Sequence, residues 1–297
     1  MRVLIAYDGS DGAAQAVAWC QAVDWPAGSL IRVVGVMEPA MLQVLPWAMG
    51  TAPPHLEGDV VATIEVGLAN VVSRLSGPDR VVDSVLLRDR PASGLVDHAR
   101  EFGADLVILG SRGHGPIVSL VLGSVSAEVA DHAPCPVLIA RRSTLERVLF
   151  ANDGSPTAAA AEDVLARWPI FTSVPIRVLS VADIMRPWTT GIAPTMYAQV
   201  LKAYAEDVDE AEAEHRKVAL GSAQRLREAG RTADSETRTG DAAAEIIACA
   251  RASSADLVVV GSRGQTGLKR IVLGSVARNV LMGSDASVLI IHQPDLA

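Results

Sequence analysis

The chain has 297 residues, 49% of them apolar, and a formal net charge of −8. That length predicts two domains, each able to bury a core, and the acidic balance argues against nucleic acid as a partner, since a general phosphate-backbone binder carries a positive face. Three scattered cysteines, Cys20, Cys135 and Cys249, fit neither a disulfide framework nor zinc-ligand spacing.

Arg2-Val-Leu-Ile-Ala-Tyr-Asp8-Gly-Ser10 reads as a short strand ending in a turn that starts a helix. Because Met1 leads straight into that strand, no secretory leader is expected. Helical material follows over Ala13 to Val23, then a second strand over Leu30 to Val36. The apolar stretch from Ile31 to Met49 is broken by Arg32, Glu38, Pro39 and Pro46, so no membrane span is predicted and a cytoplasmic location is expected. A helix from about Asp59 to Leu75, a strand over Val81 to Leu87 and a helix opening at Pro91 come next, with Gly103 at the helix end.

The fourth strand runs into a punctuated loop, Asp105-Leu-Val-Ile-Leu-Gly110-Ser-Arg-Gly113, and Gly123-Ser124 lies beyond it. A helix over Ser124 to His132 and a strand over Val137 to Ala140 complete the first half. The segment Arg141 to Glu146, short and charged, reads as the linker.

The second half repeats this order. Arg147-Val-Leu-Phe-Ala-Asn-Asp153-Gly-Ser155 matches the opening strand and turn, and Asp256-Leu-Val-Val-Val-Gly261-Ser-Arg-Gly264 with Gly274-Ser275 matches the loop. Helices are predicted over Thr157 to Arg167, Ala198 to Ala229, from Asp241 onward, and over Ser275 to Met282. Strands are predicted over Ile176 to Val181, Ser235 to Arg238 and Val288 to Ile291. Strict strand–helix alternation predicts an α/β fold of two tandem, doubly wound, five-stranded parallel-sheet domains, Rossmann-like in architecture.

In such sheets ligands bind beyond the carboxyl ends of strands, where strand order reverses. If the first strand neighbours the fourth, Asp8 and the Gly110 loop share one crevice, and Asp153 and the Gly261 loop share another. A strand, a glycine loop and a fresh helix N-terminus converge backbone N–H groups into an anion site. A side chain at Gly110 or Gly113 would block backbone approach to phosphate or forbid a positive φ, and Ser124 and Ser275 are suited to capping their helices. Arg112 and Arg263 stand inside the loops, placed to reach phosphates or simply exposed. His114 lies next to the first loop and the second copy has Gln265 at the matching position, which argues against a general base common to both sites.

The Asp-Gly-Ser strand end, the Gly-x2-Gly-x9-Gly-Ser loop and Cys135-Pro136-Val137-Leu138 resemble the universal stress protein family, as two tandem domains over 1–142 and 146–294 with 143–145 in the linker. The resemblance implies the family's ATP-binding branch: ATP, with or without Mg2+, at two sites, no catalytic residue and no metal-ligating residue, and a regulatory role in stress response or growth control. It assigns Ala6, Asp8 and Val36 to the nucleoside and Gly110, Gly113, Gly123, Ser124 and Val125 to ribose and phosphates, and Ser111 and Arg112 of the same loop are counted with the binding residues. The matching positions are Ala151, Asp153 and Val181, then Gly261, Ser262, Arg263, Gly264, Gly274, Ser275 and Val276. It also implies that the last strands of the two domains pair as an internal pseudo-dimer, with association of whole chains into a homodimer beyond that. The competing reading is a slow ATPase or nucleotidyl-transfer enzyme on the same fold. Against it, the chain lacks Gly-x4-Gly-Lys-[Ser/Thr]. Loops with Trp47 and Trp188 follow the second strands and read equally as lids, docking surfaces or packing.

Overall fold

A computed structural model describes residues 1–38, 56–111, 122–184, 194–264 and 273–292. Arg112, Gly113, His114 and the Trp47 and Trp188 loops lie outside them.

The first half runs β1 (Arg2–Ala6), α1 (Asp11–Ala22), β2 (Ser29–Met37), α2 (Leu56–Leu75), β3 (Arg80–Arg88), α3 (Pro91–Phe102), β4 (Leu106–Gly110), α4 (Ser124–His132) and β5 (Val137–Ala140). The second runs β6 (Val148–Ala151), α5 (Pro156–Arg167), β7 (Ile176–Ala182), α6 (Pro194–Glu228), β8 (Ala233–Thr239), α7 (Ala242–Ala252), β9 (Leu257–Gly261), α8 (Ser275–Gly283) and β10 (Ser287–Ile291). The central strands are continuous apolar runs because helices cover both faces. All five residues of β4 and all four of β5 are buried.

One ten-stranded sheet holds both halves, in the order β3-β2-β1-β4-β5-β10-β9-β6-β7-β8. Within each half every pairing is parallel. Between the halves β5 and β10 run antiparallel, Leu138 opposite Leu289, so the expected pairing of last strands turns two sheets into one. The carboxyl ends of the strands therefore face opposite edges of the sheet in the two halves.

Helices α1, α2, α5 and α6 pack on one face and α3, α4, α7 and α8 on the other, and both cores cross from one half into the other. The edge strands β3 and β8 are only partly covered. Each is fastened to its neighbour by a forked ion pair: Arg32 reaches both Asp83 oxygens, at 2.8 and 2.5 Å, and Arg177 both Asp234 oxygens, at 3.0 and 2.8 Å.

The segment expected to be a plain linker is held along its length. The N–H groups of Arg141 and Arg142 donate to Ser287 Oγ, and those of Glu146 and Arg147 to Asp256 Oδ2. Strand β8 and helix α6 both begin earlier than sequence suggested, at Ala233 and Pro194. No helix among the described residues is long and apolar enough to cross a membrane.

Candidate functional site

Each half forms its strand tip the same way. The Asp8 carboxylate accepts from Ser10 N at 2.9 Å, and Ser10 Oγ accepts from Ala13 N at 3.2 Å to cap α1. In the second half Asp153 accepts from Ser155 N at 2.9 Å, and Ser155 Oγ accepts from Ala158 N at 3.2 Å to cap α5. Serine is thus the cap, and aspartate braces the turn one step earlier. The left-handed backbone that the turn requires falls on Gly9 (φ 83°) and Gly154 (φ 77°).

Strand β1 pairs with β4, Leu4 opposite Val107, and β6 with β9, Leu149 opposite Val258. Each aspartate tip consequently stands beside its own glycine loop. The strand-end glycines carry a constraint that was not expected. Gly110 and Gly261 end their strands without a positive φ. A Cβ on Gly110 would lie 2.7 Å from Gly12 Cα and closer still to the Gly12 carbonyl, so Gly110 lets α1 cross the sheet backbone to backbone. A Cβ on Gly261 would lie 2.9 Å from Thr157 Cβ. These positions are glycine because of helix–strand packing.

The loops close at their base, with Gly123 N donating to Ser111 O at 3.0 Å and Gly274 N to Ser262 O at 2.8 Å. Ser262 N is bound in turn by Ile291 O at 2.8 Å. In the second half the start of α5 grips the loop as well, Thr157 Oγ1 and Ser155 Oγ both donating to Arg263 O.

The helices after the loops begin on glycine. Gly123 (φ −64°, ψ 148°) and Gly274 (φ −61°, ψ 158°) are the N-caps and supply no side-chain bond. Ser124 and Ser275, expected as caps, are instead the first helical residues, and their side chains are exposed. The first intrahelical bond of α8 is Arg278 N to Gly274 O. The N–H groups of Ser275, Val276 and Ala277 therefore precede the ladder, at the positive end of the helix dipole.

These parts enclose a cavity of about 450 Å³ in the second half, lined by Ala151, Asp153, Val181, Gly261, Arg263, Gly264, Gly274, Ser275 and Val276 among others. Of the sequence-derived positions in this half only Ser262 lies off the wall, buried beneath it. Asp153 Oδ2 sits 3.1 Å from where a Gly264 Cβ would stand, so any side chain there would crowd the carboxylate. In the first half Ala6 ends β1, and Asp8, Ser111, Gly123, Ser124 and Val125 stand in the same order. Val36 and Val181 lie within β2 and β7, not beyond them, Val36 opposite Leu87 and Val181 opposite Arg238.

The cavity wall includes residues that sequence reasoning missed, notably Asn152, Asp183 and His215. Ser180 Oγ donates to Asn152 O at 2.6 Å, so it accepts from His215 Nδ1, 2.8 Å away. This fixes the neutral ring as the Nδ1–H tautomer and leaves Nε2 as an acceptor. The first half has Gly35 where Ser180 stands, with Ile64 and Leu68 of α2 against it. The two sites thus share their glycine loops and differ in one wall, polar in the second and apolar in the first. Among the described residues no group of three or more His, Cys, Asp or Glu is gathered to hold a metal ion.

Sequence comparison places two matches end to end. The model of the universal stress protein family matches residues 1–141 and again 144–292. A universal stress protein of Thermus aquaticus is 37% identical over 141 residues, 47% of this chain and 97% of its own length. One from Mycobacterium tuberculosis is 28% identical over 235 residues, covering 73% of this chain and 72% of the relative. Among solved structures, a universal stress protein from Archaeoglobus fulgidus superposes with a TM-score of 0.64 over 99% of this chain and 97% of its own, at 19% identity, a likeness of fold.

Proposed function

Because the chain belongs to the universal stress protein family, we propose that it binds ATP, with or without Mg2+, at one site per domain. Occupancy would serve a regulatory role in stress response or growth control, without catalytic turnover. The observation that carries this reading is the second-domain cavity, where an acidic strand tip, a glycine loop and the start of a helix line one space. Its volume of about 450 Å³ suits a small-molecule ligand of nucleotide size.

The residues fit the two ends of such a ligand. The N–H groups at the start of α8 and the Ser275 hydroxyl are donors, which phosphate oxygens accept. Asp153 is an acceptor and would repel phosphate, so it belongs to the ribose hydroxyls. Backbone at Val181 is left for the base. The repeat assigns the same roles to Asp8, to Gly110, Gly123, Ser124 and Val125, and to Val36 in the first domain. A Mg2+ accompanying the nucleotide would be held chiefly by phosphates and water.

Mass spectrometry of the gently purified chain tests the reading directly, with co-purified ATP the expected result. In isothermal titration Asp153→Ala should weaken one of two sites by about tenfold, the loss of a charge-assisted hydrogen bond. Absence of any nucleotide, together with no heat on adding ATP, would overturn the proposal. Steady hydrolysis well above about one turnover per minute would favour the enzyme reading instead. Light scattering of the same sample reports whether whole chains form the homodimer.

A further inference from the structure

The antiparallel seam brings the end of one domain's helix to the other domain's ligand edge. Helix α4 starts at Ser124, in the first cradle, and runs back against its strands. Its last turn therefore arrives at the sheet edge where the second domain's strands end. There Asp131 meets the second cradle. Its Oδ1 accepts from Leu273 N at 3.1 Å, on the residue before Gly274. Both of its oxygens accept from Arg278 Nη2 of α8, each at 3.1 Å.

A carboxylate in the last turn of a helix opposes the helix dipole, so Asp131 has no local reason to be there. Its side chain is only 17% exposed, and the bonds it makes cross between domains. The repeat supplies a control. In register, the counterparts of Asp131 and Arg278 are Met282 and Ala127, which can make neither bond, and Met282 is 44% exposed. One pair of contacts across the seam is matched on both sides: His292 Nε2 meets Ala130 O at 2.9 Å, and Arg141 Nη2 meets Leu281 O at 2.5 Å. The Asp131 brace, like the bonds that Ser287 accepts from Arg141 N and Arg142 N, is an addition to that matched pair.

We propose that Asp131 of the first domain is a positioning residue of the second ligand site, fixing the entry to α8 at Leu273–Gly274, so that the second cradle is complete only with the first domain docked on it. This rests on the reading of that cavity as a nucleotide site. Among the described residues the first cradle has no such brace, and the two sites differ accordingly in their dependence on the partner domain.

Amide hydrogen exchange on the full-length chain without nucleotide tests the brace. Asp131→Leu should speed exchange at Leu273 by about tenfold, as loss of one hydrogen bond predicts, with the Leu122–Ser126 amides unchanged. Asp131→Asn keeps an acceptor and should restore most of the protection. Arg278→Ala removes the ion pair and leaves the 17% exposed Asp131 carboxylate to Leu273 N, so protection at Leu273 should persist there while it is lost in Asp131→Leu. Photo-affinity labelling with azido-ATP, mapped to peptides, should show labelling of the second domain falling by about fivefold in Asp131→Leu and that of the first within about twofold of wild type. Unchanged exchange at Leu273 in Asp131→Leu, or equal loss at both cradles, overturns the proposal. A wild-type chain that takes up no nucleotide defeats the ATP reading instead, and the exchange result still decides the brace.

Discussion

Replacing Gly110 by alanine should destabilise the chain with no nucleotide present. The added Cβ would lie 2.7 Å from Gly12 Cα, and nearer to the Gly12 carbonyl carbon and oxygen. Carbons attract only from about 3.5 Å, so β4 and α1 must part by at least about 0.8 Å. Both surfaces in contact are backbone, so no rotamer relieves the clash. Nor can α1 move cheaply, since Ala16, Val17 and Cys20 on its inner face are fully buried. Overpacking of this kind costs about 3 kcal/mol, the upper part of the usual range, which lowers the melting temperature by about 6 to 12 °C. Gly261→Ala meets Thr157, whose hydroxyl can turn away by giving up its bond to Arg263 O, leaving the milder approaches of Thr157 Cβ at 2.9 Å and its carbonyl carbon at 3.0 Å. It should cost about 1–2 kcal/mol. Circular dichroism melts of the nucleotide-free chain measure both. A Gly110→Ala chain that melts with wild type, or below which Gly261→Ala melts, refutes the packing account.

Arg231 is 9% exposed and donates to Leu165 O, Ala166 O, Trp168 O and Thr172 Oγ1, closing the end of α5. Arg231→Met should cost about 2–4 kcal/mol by taking their donor from the Leu165 and Ala166 carbonyls, read as a lower urea midpoint. Burial holds His292 below the ordinary imidazole value of 6.5, and burial with Arg32 nearby does the same for His98. The unfolded chain therefore takes up protons first, and stability, full above about pH 6.5, declines on acidification toward the folded values; melts between about pH 7 and pH 5 should show this slope, flatter in His292→Gln. Burial pushes the Cys20 and Cys135 thiols up to about 12 and Cys249 to about 11. The native chain should resist Ellman's reagent near neutral pH and react fully once denatured; prompt native labelling would contradict the burial.

What sequence disclosed was whatever lies close along the chain. The runs Leu-Val-Ile-Leu and Leu-Val-Val-Val announced buried parallel strands, and their recurrence announced two copies. The joining of β5 to β10 came from the resemblance, since nothing in Val-Leu-Ile-Ala marks an antiparallel partner. Gly110 was identified as special, for a partly wrong reason. Its constraint comes from Gly12 on another element, which a local pattern does not reveal. The same holds for capping, where Gly123 and Gly274 occupy the position suited to serine because the serine beside each is turned to the exposed start of the helix. His215 lies within a heavily charged helix and reads as one more solvated residue until β7 supplies Ser180. The bond from Leu273 to Asp131 spans nearly half the chain.

The outermost strands carry a final consequence. Arg80, Asp83 and Arg88 stud β3, and Asp234, Glu236 and Arg238 stud β8, so the ribbon ends in charges of both signs at each margin. A newcomer strand would have to strip water from those ions to extend the ladder. Growth of the ribbon by edge-to-edge addition is thereby blocked, and any assembly of whole chains is steered onto the helical flanks.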